Sequence, residues 1–476
     1  MCKFKKAVLI IFATMFSLSL SGCYDYKEPG DLAYVVAIGV DKSDNEGTYN
    51  YTIQYARPTE ITGGSSSEGG SGKDTMSILN VEAPSVYAAV NLANHVVSKS
   101  FTLAHTKIIV ISDTVAKESI TPIMDSIGRS SDIRPSVYMC VSDGEAREYL
   151  NSVKPVVEIH PVKYYRLIFE NKYSSYIPKT DVNDVYQNLK SGDEQSIVPY
   201  VGVGQGEDEA KNSAEGADGS QDSSGGGSQK SSGGGGDSQK EGGGSSEEGG
   251  KGQSQGGNGE GEQSQSKEQK NIPTNKSGFE YDMKEYIAGN LDIEKTNKSE
   301  VIGSAVFNGD RMVTTLSNIE SELYNIIKGD FQNGYSVIYS QKSPDHPITI
   351  KIEQQKRPKI KVDAKGIKPK IDVEVFLEAD FVSVPYDYFA ESEIDRFEKE
   401  TTKYIKEAIE KFLNSTSRQY KTDVCGFARY AKSNFLTYDE FNNYKWNDKY
   451  QNAQFLCNVN FSIRRTGLII RTDETQ

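Results

Sequence analysis

The first two hundred residues alternate between short apolar runs and helical stripes. Ala33–Val40 (AYVVAIGV) is continuously apolar and predicts a buried strand, and Thr48–Tyr55 alternates as a second. Asp41 to Gly47, with Asp44-Asn45-Glu46-Gly47, supplies the turn between them. Ser77–Val81 predicts a short strand. Pro84 then opens a helix through Lys99, with Val86, Ala89, Val90, Ala93, Val96 and Val97 on one face. Thr106–Ser112 reads as strand and Val115–Arg129 as helix, with Pro122 a point of irregularity. Val137–Val141 is strand again, followed by a helix after Ser142-Asp143. Such alternation predicts a sheet sandwiched with helices.

The C-terminal half carries a different rhythm. Val301–Phe307 and Arg311–Leu316 flank Asn308-Gly309, the signature of a hairpin with a type I′ turn. Ser317–Lys328 follows as helix. Ile348–Glu353, Lys359–Val362 and Lys370–Phe381 alternate, with Ile371, Val373, Val375 and Leu377 on one face, and predict an antiparallel meander. The clearest helix runs over 393–419. Ser392 and Asp395 resemble a capping box at its start. Ile394, Phe397, Tyr404, Ile405, Ala408, Ile409, Phe412 and Leu413 form its apolar stripe, which should lie on the meander, while Asp395–Lys399 and Glu407–Lys411 support the wet face. A terminal strand, Gln454–Ile463, precedes Arg464-Arg465-Thr466-Gly467.

From Gln205 to Lys270 there is no Val, Ile, Leu, Met, Phe, Tyr or Trp, so the Gly/Ser/Gln/Glu-rich insert spanning 204–278 cannot bury enough apolar area to order itself. A smaller Gly/Ser loop, 62–73, interrupts the first domain. The expected fold class is mixed α+β and α/β in three mixed domains. These are 23–200, 279–345 (joined by 195–203) and 346–476.

Residues 1–22 predict a signal peptide. Lys3, Lys5 and Lys6 precede an apolar core, Ala7–Leu20, shorter than the ~20 residues a spanning helix needs. Leu20-Ser21-Gly22-Cys23 resembles a bacterial lipoprotein box, in which the thiol is diacylated and becomes the mature N-terminus. Cys23 is therefore the expected lipidation site, tethering an exported chain to the outer face of a membrane. The chain carries 67 acidic and 54 basic residues, a net charge of −13. That balance disfavours nucleic acid and anionic lipid as partners held by charge alone.

Once Cys2 is removed and Cys23 lipidated, Cys140, Cys425 and Cys457 remain. Only Cys425 and Cys457 could pair, and buried free thiols are the expected state. His95, His105, His160 and His346 lack metal-ligand spacing, so no metal site is expected. Gly202, Gly204 and Gly206 mimic a phosphate loop but run into the insert instead of a helix. No GxSxG is present, and no carboxylate pair stands out. No catalytic residue and no cofactor is expected. Arg464 and Arg465 are the best short candidates for a contact surface. Adjacent on a strand, they point to opposite faces, one able to pair internally and the other to meet a partner.

Seven stretches occur in order along the chain: Cys23-Tyr24-Asp25, Asp31-Leu32-Ala33, Ile38-Gly39-Val40-Asp41, Val198-Pro199-Tyr200, the hairpin Gly303–Val313, Asp423-Val424-Cys425-Gly426-Phe427 and Phe461–Leu468. Together they resemble the Ger(x)C family, the lipoprotein C subunits of bacterial spore germinant receptors. Tyr24 replaces the family's usual Trp, and Ser304 an apolar residue. The resemblance implies a non-catalytic, lipid-anchored receptor subunit on the outer face of the spore inner membrane. Its implied partners are two membrane-embedded subunits, an A-type and a permease-like B-type, and its role is nutrient-triggered germination. The alternatives are a solute-binding lipoprotein of a transporter, which would show two similar doubly wound lobes, and a tethered cell-wall hydrolase, which would need an active-site pair.

Overall fold

The computed structural model describes residues 2–19, 28–56, 76–129, 131–154, 161–170, 175–192, 194–204, 279–281, 284–291, 293, 297–340, 343–384 and 391–465. The expected lipidation site Cys23, the 62–73 loop and nearly all of the 204–278 insert lie outside the described residues.

Strand β1 (Leu32–Lys42) is buried along nearly its whole length, as its continuous apolar run requires. It pairs antiparallel with β2 (Tyr49–Ala56), which pairs with β3 (Met76–Ala83). On its other edge it runs parallel to β4 (Ser100–Thr102) and β5 (Ile108–Ser112), and β5 runs parallel to β6 (Tyr138–Ser142). Beyond β6 lie β7 (Ile197–Val203), β9 (Ser299–Asn308) and β10 (Arg311–Leu316), completing nine strands. Strand alternation sends Ile109, Ile111, Met139 and Val141 into one hydrophobic cluster and Ile108, Val110 and Cys140 into another. Helices α2 (Val86–Ala93), α3 (Asp113–Glu118), α4 (Thr121–Gly128) and α7 (Val182–Ser191) bury residues in the first cluster. Helices α5 (Ala146–Ser152) and α6 (Pro161–Phe169) do so in the second. The expected sandwich of sheet and helices is what forms. An N-terminal helix, α1 (Cys2–Ser19), is described separately from both sheets.

The second sheet has the order β14-β13-β12-β11-β8. Its strands are β8 (Phe279–Tyr281), β11 (Asn333–Ser340), β12 (Ser343–Asp363), β13 (Lys370–Ser383) and β14 (Gln454–Arg465). β8 to β13 are antiparallel, but the two segments expected as separate strands, Ile348–Glu353 and Lys359–Val362, lie on the one strand β12, and β14 joins parallel to β13. A parallel partner requires a crossover, and α9 (Glu391–Arg418) is its longest element. Phe397, Ile405, Ile409, Phe412 and Leu413 on that helix are buried in one cluster with Ile371, Val373, Val375 and Leu377, and the Phe381 and Phe397 ring centroids lie 5.3 Å apart.

The residues expected to form a middle domain are shared between the sheets. The hairpin β9–β10 extends the first, while β8 and β11 belong to the second. The helix α8 (Asn318–Lys328) between them starts with the reciprocal Ser317–Glu320 capping box and ends at Gly329 in the left-handed region (φ 80°). Ile197, Val306 and Leu316 of the first sheet are buried in the same cluster as the second sheet's core.

Three local differences have physical reasons. The helix expected over 84–99 stops at Ala93, where the Asn94 side chain accepts the Phe101 N–H at 2.9 Å and draws the chain into β4. The helix expected over 115–129 is two helices, because Pro122, lacking an N–H, sits in the first turn of α4. The β9–β10 turn has positive φ at Gly309 (64°) but not at Asp310, the sense of a type II′ turn instead of type I′.

Candidate functional site

The short motifs mark where distant segments are tied together. In Ile38-Gly39-Val40-Asp41, Asp41 is buried at the end of β1, and its two carboxylate oxygens accept the Ala146 N–H at 2.7 Å and the Arg147 N–H at 3.0 Å. It thereby holds the first turn of α5. Burial raises its carboxyl above the usual range, against the lowering effect of those two N–H groups. Gly39 lies against this same helix, and a Cβ there would sit 3.1 Å from Leu150 Cδ1.

The hairpin motif works similarly. Gly303 has φ 88°, and a Cβ on it would lie 2.6 Å from the Leu316 carbonyl oxygen, so only glycine fits. Ser304 is fully buried, with its hydroxyl 2.7 Å from that of Ser321 on α8. That bond explains how a polar residue replaces an apolar one there. Asp310 accepts from Ser119 Oγ at 2.5 Å and Thr121 Oγ1 at 3.2 Å, joining the hairpin tip to the α3–α4 junction. These hydroxyls hold its carboxyl below its ordinary value.

Asp423-Val424-Cys425-Gly426-Phe427 forms the most polar buried knot. Asp423 accepts the Phe427 N–H at 3.0 Å, the Ala428 N–H at 2.8 Å and the Trp446 indole N–H at 2.8 Å. It is 2 % exposed, and burial pushes its carboxyl up to about 6 despite those donors. Gly426 adopts φ 71°, and a Cβ there would lie 2.7 Å from Glu194 Oε2. Glu194, just ahead of β7, in turn pairs with Lys328 at the end of α8 and with Arg429 in the short helix α10 (Ala428–Ala431). This cluster fastens the first sheet's β7 to the C-terminal segment.

The remaining expected candidates do not assemble into a reactive centre. His95 is exposed, and His105 packs its ring edge-on to Tyr34 at 4.9 Å. His160 and the side chain of His346 lie outside the described residues. Among the described residues no group of His, Cys, Asp and Glu could hold a metal ion. Cys140, Cys425 and Cys457 are buried free thiols, and Cys425 and Cys457 are not bonded to each other. Burial raises all three, Cys457 to about 12, which leaves them poor nucleophiles. A Cβ at Gly202 would lie 2.7 Å from the Gly289 nitrogen, so this glycine serves backbone packing, not a phosphate.

Arg464 and Arg465 lie at the end of β14, both exposed. Arg464 binds Asp380 (Nη2–Oδ2 2.8 Å) and Glu378 (Nη1–Oε1 2.8 Å) on the adjacent β13 and Glu353 (Nη2–Oε2 3.4 Å) on β12 beyond it. Sequence reasoning missed Glu194 entirely, since its partners lie 134 and 235 residues away. Asp423 and Gly426 were visible as a motif, but not their roles.

No helix among the described residues is long and apolar enough to cross a membrane. Fold and motif roles together define a two-sheet α+β protein whose signature residues hold the chain in shape. The sequence matches the family described as "Spore germination protein N-terminal domain" over residues 25–203 and that described as "Spore germination B3/GerAC like, C-terminal" over residues 302–467, together well over half of the chain. The chain belongs to this GerAC-like spore germination family. Similar curated proteins of Bacillus subtilis (strain 168) include "Spore germination protein KC", 25% identical over 204 residues (42% of this chain, 50% of the relative). They also include "Spore germination protein A3", 24% identical over 201 residues (41% and 51%), and "Spore germination protein YndF", 28% identical over 176 residues (35% and 42%). The chain thus spans about half the length, or less, of these curated relatives. A crystal structure of the GerBC protein aligns over 90% of this chain and 96% of its own with 14% identity and a TM-score of 0.47.

Proposed function

We propose that this protein is the lipid-anchored, non-catalytic C subunit of a spore germinant receptor. In this reading Cys23 carries the lipid, the folded body stands on the outer face of the spore inner membrane, and an A-type and a permease-like B-type subunit are its integral-membrane partners. The observation that carries the reading is the role of the signature residues. Asp41, Asp310 and Asp423 each use their carboxylates to close backbone or hydroxyl contacts between distant segments, leaving them with structural work in place of chemistry. The unequal nine- and five-stranded sheets also argue against the two similar lobes of a solute-binding lipoprotein.

The test is Cys23→Ala expressed in sporulating cells. The variant should leave the detergent phase and the spore membrane fraction while keeping the circular dichroism of the folded body. Affinity capture of the unchanged protein from spore membranes should bring two integral-membrane subunits with it. Equal partitioning of variant and parent would remove the lipid from the reading, and capture of neither subunit would remove the receptor.

A further inference from the structure

One half-buried carboxylate beside the second sheet's core takes part in none of these ties. Glu322 lies on the face of α8 that looks toward β11, with no hydrogen-bond or ion-pair partner among the described residues. Its Oε1 would sit 2.7 Å from a Cβ at Gly334 on β11, so the strand keeps a glycine where the carboxylate lies against it. Burial alone pushes this carboxyl up to about 7. A carboxylate beside apolar groups is disfavoured in its charged form unless a counter-charge arrives.

Glu322 opens onto a cavity of about 190 Å³ between α8, β11 and α9. The hydroxyl-bearing rings of Tyr176, Tyr286, Tyr335 and Tyr404 stand around it, and Ile326, Ile405 and Ala408 are among the apolar groups lining it. At its rim the Lys284 ammonium already lies 5.2 Å from the Tyr286 ring centroid, so this wall accepts a cation on an aromatic face. A cavity of about 150 Å³ admits benzene, which sets the scale of what fits.

We propose that this cavity binds a small organic ammonium, with its charge paired to Glu322 and its apolar body against the tyrosine rings and the aliphatic wall. A neutral ligand of the same shape would leave the carboxylate unpaired, and an anion would be repelled by it. The inference holds independently of the lipid anchor and of the receptor reading. The other ionisable groups that line the cavity are Tyr176, Tyr286, Tyr335, Tyr404 and Lys284, and Glu322 is the carboxylate among them. Pairing a cation to Glu322 favours its charged form and displaces its proton.

The full-length protein in lipid nanodiscs would be titrated calorimetrically with benzylammonium, benzyl alcohol and benzoate at pH 8. Benzylammonium should bind at least tenfold more tightly than benzyl alcohol, and benzoate should not bind. Glu322→Gln should bring benzylammonium and benzyl alcohol within about twofold of each other. Ala408→Leu, which fills the cavity and keeps the carboxylate, should weaken both. At pH 6.5, titrations in buffers of different ionisation enthalpy should show a fraction of a proton released as benzylammonium binds, a readout that needs no variant. Equal affinities for the cation and the alcohol would overturn the proposal. So would a preference that survives Glu322→Gln, or no binding of benzylammonium.

Discussion

The Trp446 indole N–H donates to Asp423 Oδ2 at 2.8 Å, which ties the chain's single tryptophan to the turn that follows α9. Phe427 and Ala428 donate their backbone N–H groups to the same carboxylate. Asp423→Ala would leave three buried donors without an acceptor. Each such group costs about 1–3 kcal/mol, and partial relaxation should bring the total to about 3–4 kcal/mol. Urea titration followed by Trp446 fluorescence would register both the lost stability and a change in the native emission. A variant with unaltered midpoint and spectrum would mean that the knot contributes nothing.

The same carboxylate gives stability a pH dependence of defined sign. Its folded value of about 6 lies above its ordinary value of 3.8, so between these limits the native state binds more protons than the unfolded chain. Stability from this group therefore falls as pH rises from about 4 to 6 and is constant above that, by up to about 3 kcal/mol. Asp423→Asn removes the titration while keeping one acceptor oxygen. The stability gap between parent and variant, measured from pH 4 to 8, should shift against the parent up to pH 6 and then level off. A gap moving the other way would show that the donors outweigh burial.

Glu194 is 8 % exposed and holds two cations of different burial. The Lys328 side chain is 17% exposed and that of Arg429 63%. Solvent screens the second pair, so Arg429→Ala should cost under about 1 kcal/mol. Lys328→Ala removes the more buried cation and should cost about 2 kcal/mol. Glu194→Ala strands a mostly buried ammonium and should cost about 3 kcal/mol. Urea midpoints of the three variants would check the order, and equal costs for Lys328 and Arg429 would refute the burial argument.

What was legible in the sequence follows from range. The continuous run of Ala33–Val40 and the stripe from Phe397 to Leu413 depend on local periodicity, and both appear as read. The sheet that β7 and β9 extend does not: 195–203 groups with the hairpin across the insert, and β7 does pair with β9, but nothing in either strand says which sheet the pair joins. Residues 279–345 thus read as a domain of their own, while the structure divides them between two sheets. The contacts of Glu194 and Glu322 were invisible for a related reason: a lone glutamate in an acidic chain has no signal until the fold brings its neighbours to it. For the arginine pair, nothing local marks a partner, and only the sheet order places Glu353, Glu378 and Asp380 around Arg464.

The stripe on α9 supplies the sharpest contrast between two neighbouring positions. Leu413 is fully buried on the face packed with the second sheet's core residues, in the cluster that holds Ile371 and Val373. Replacing a buried leucine by alanine removes its transfer free energy and leaves a cavity, typically costing about 2–5 kcal/mol. Glu410, three residues earlier, points to the wetter face, where its carboxylate lies 3.9 Å from Lys406 Nζ. That i,i+4 pair is worth only about 0.2–0.5 kcal/mol. Leu413→Ala should therefore shift the urea midpoint of the C-terminal part strongly, and Glu410→Ala should change stability by under about 0.5 kcal/mol. In spores the first change should slow germination by lowering the amount of folded protein, so germination rate should track protein level on immunoblots. Small, equal effects of both substitutions in urea would mean that the stripe does not carry the core. Slowed germination at a normal protein level would instead make that face of α9 a contact surface.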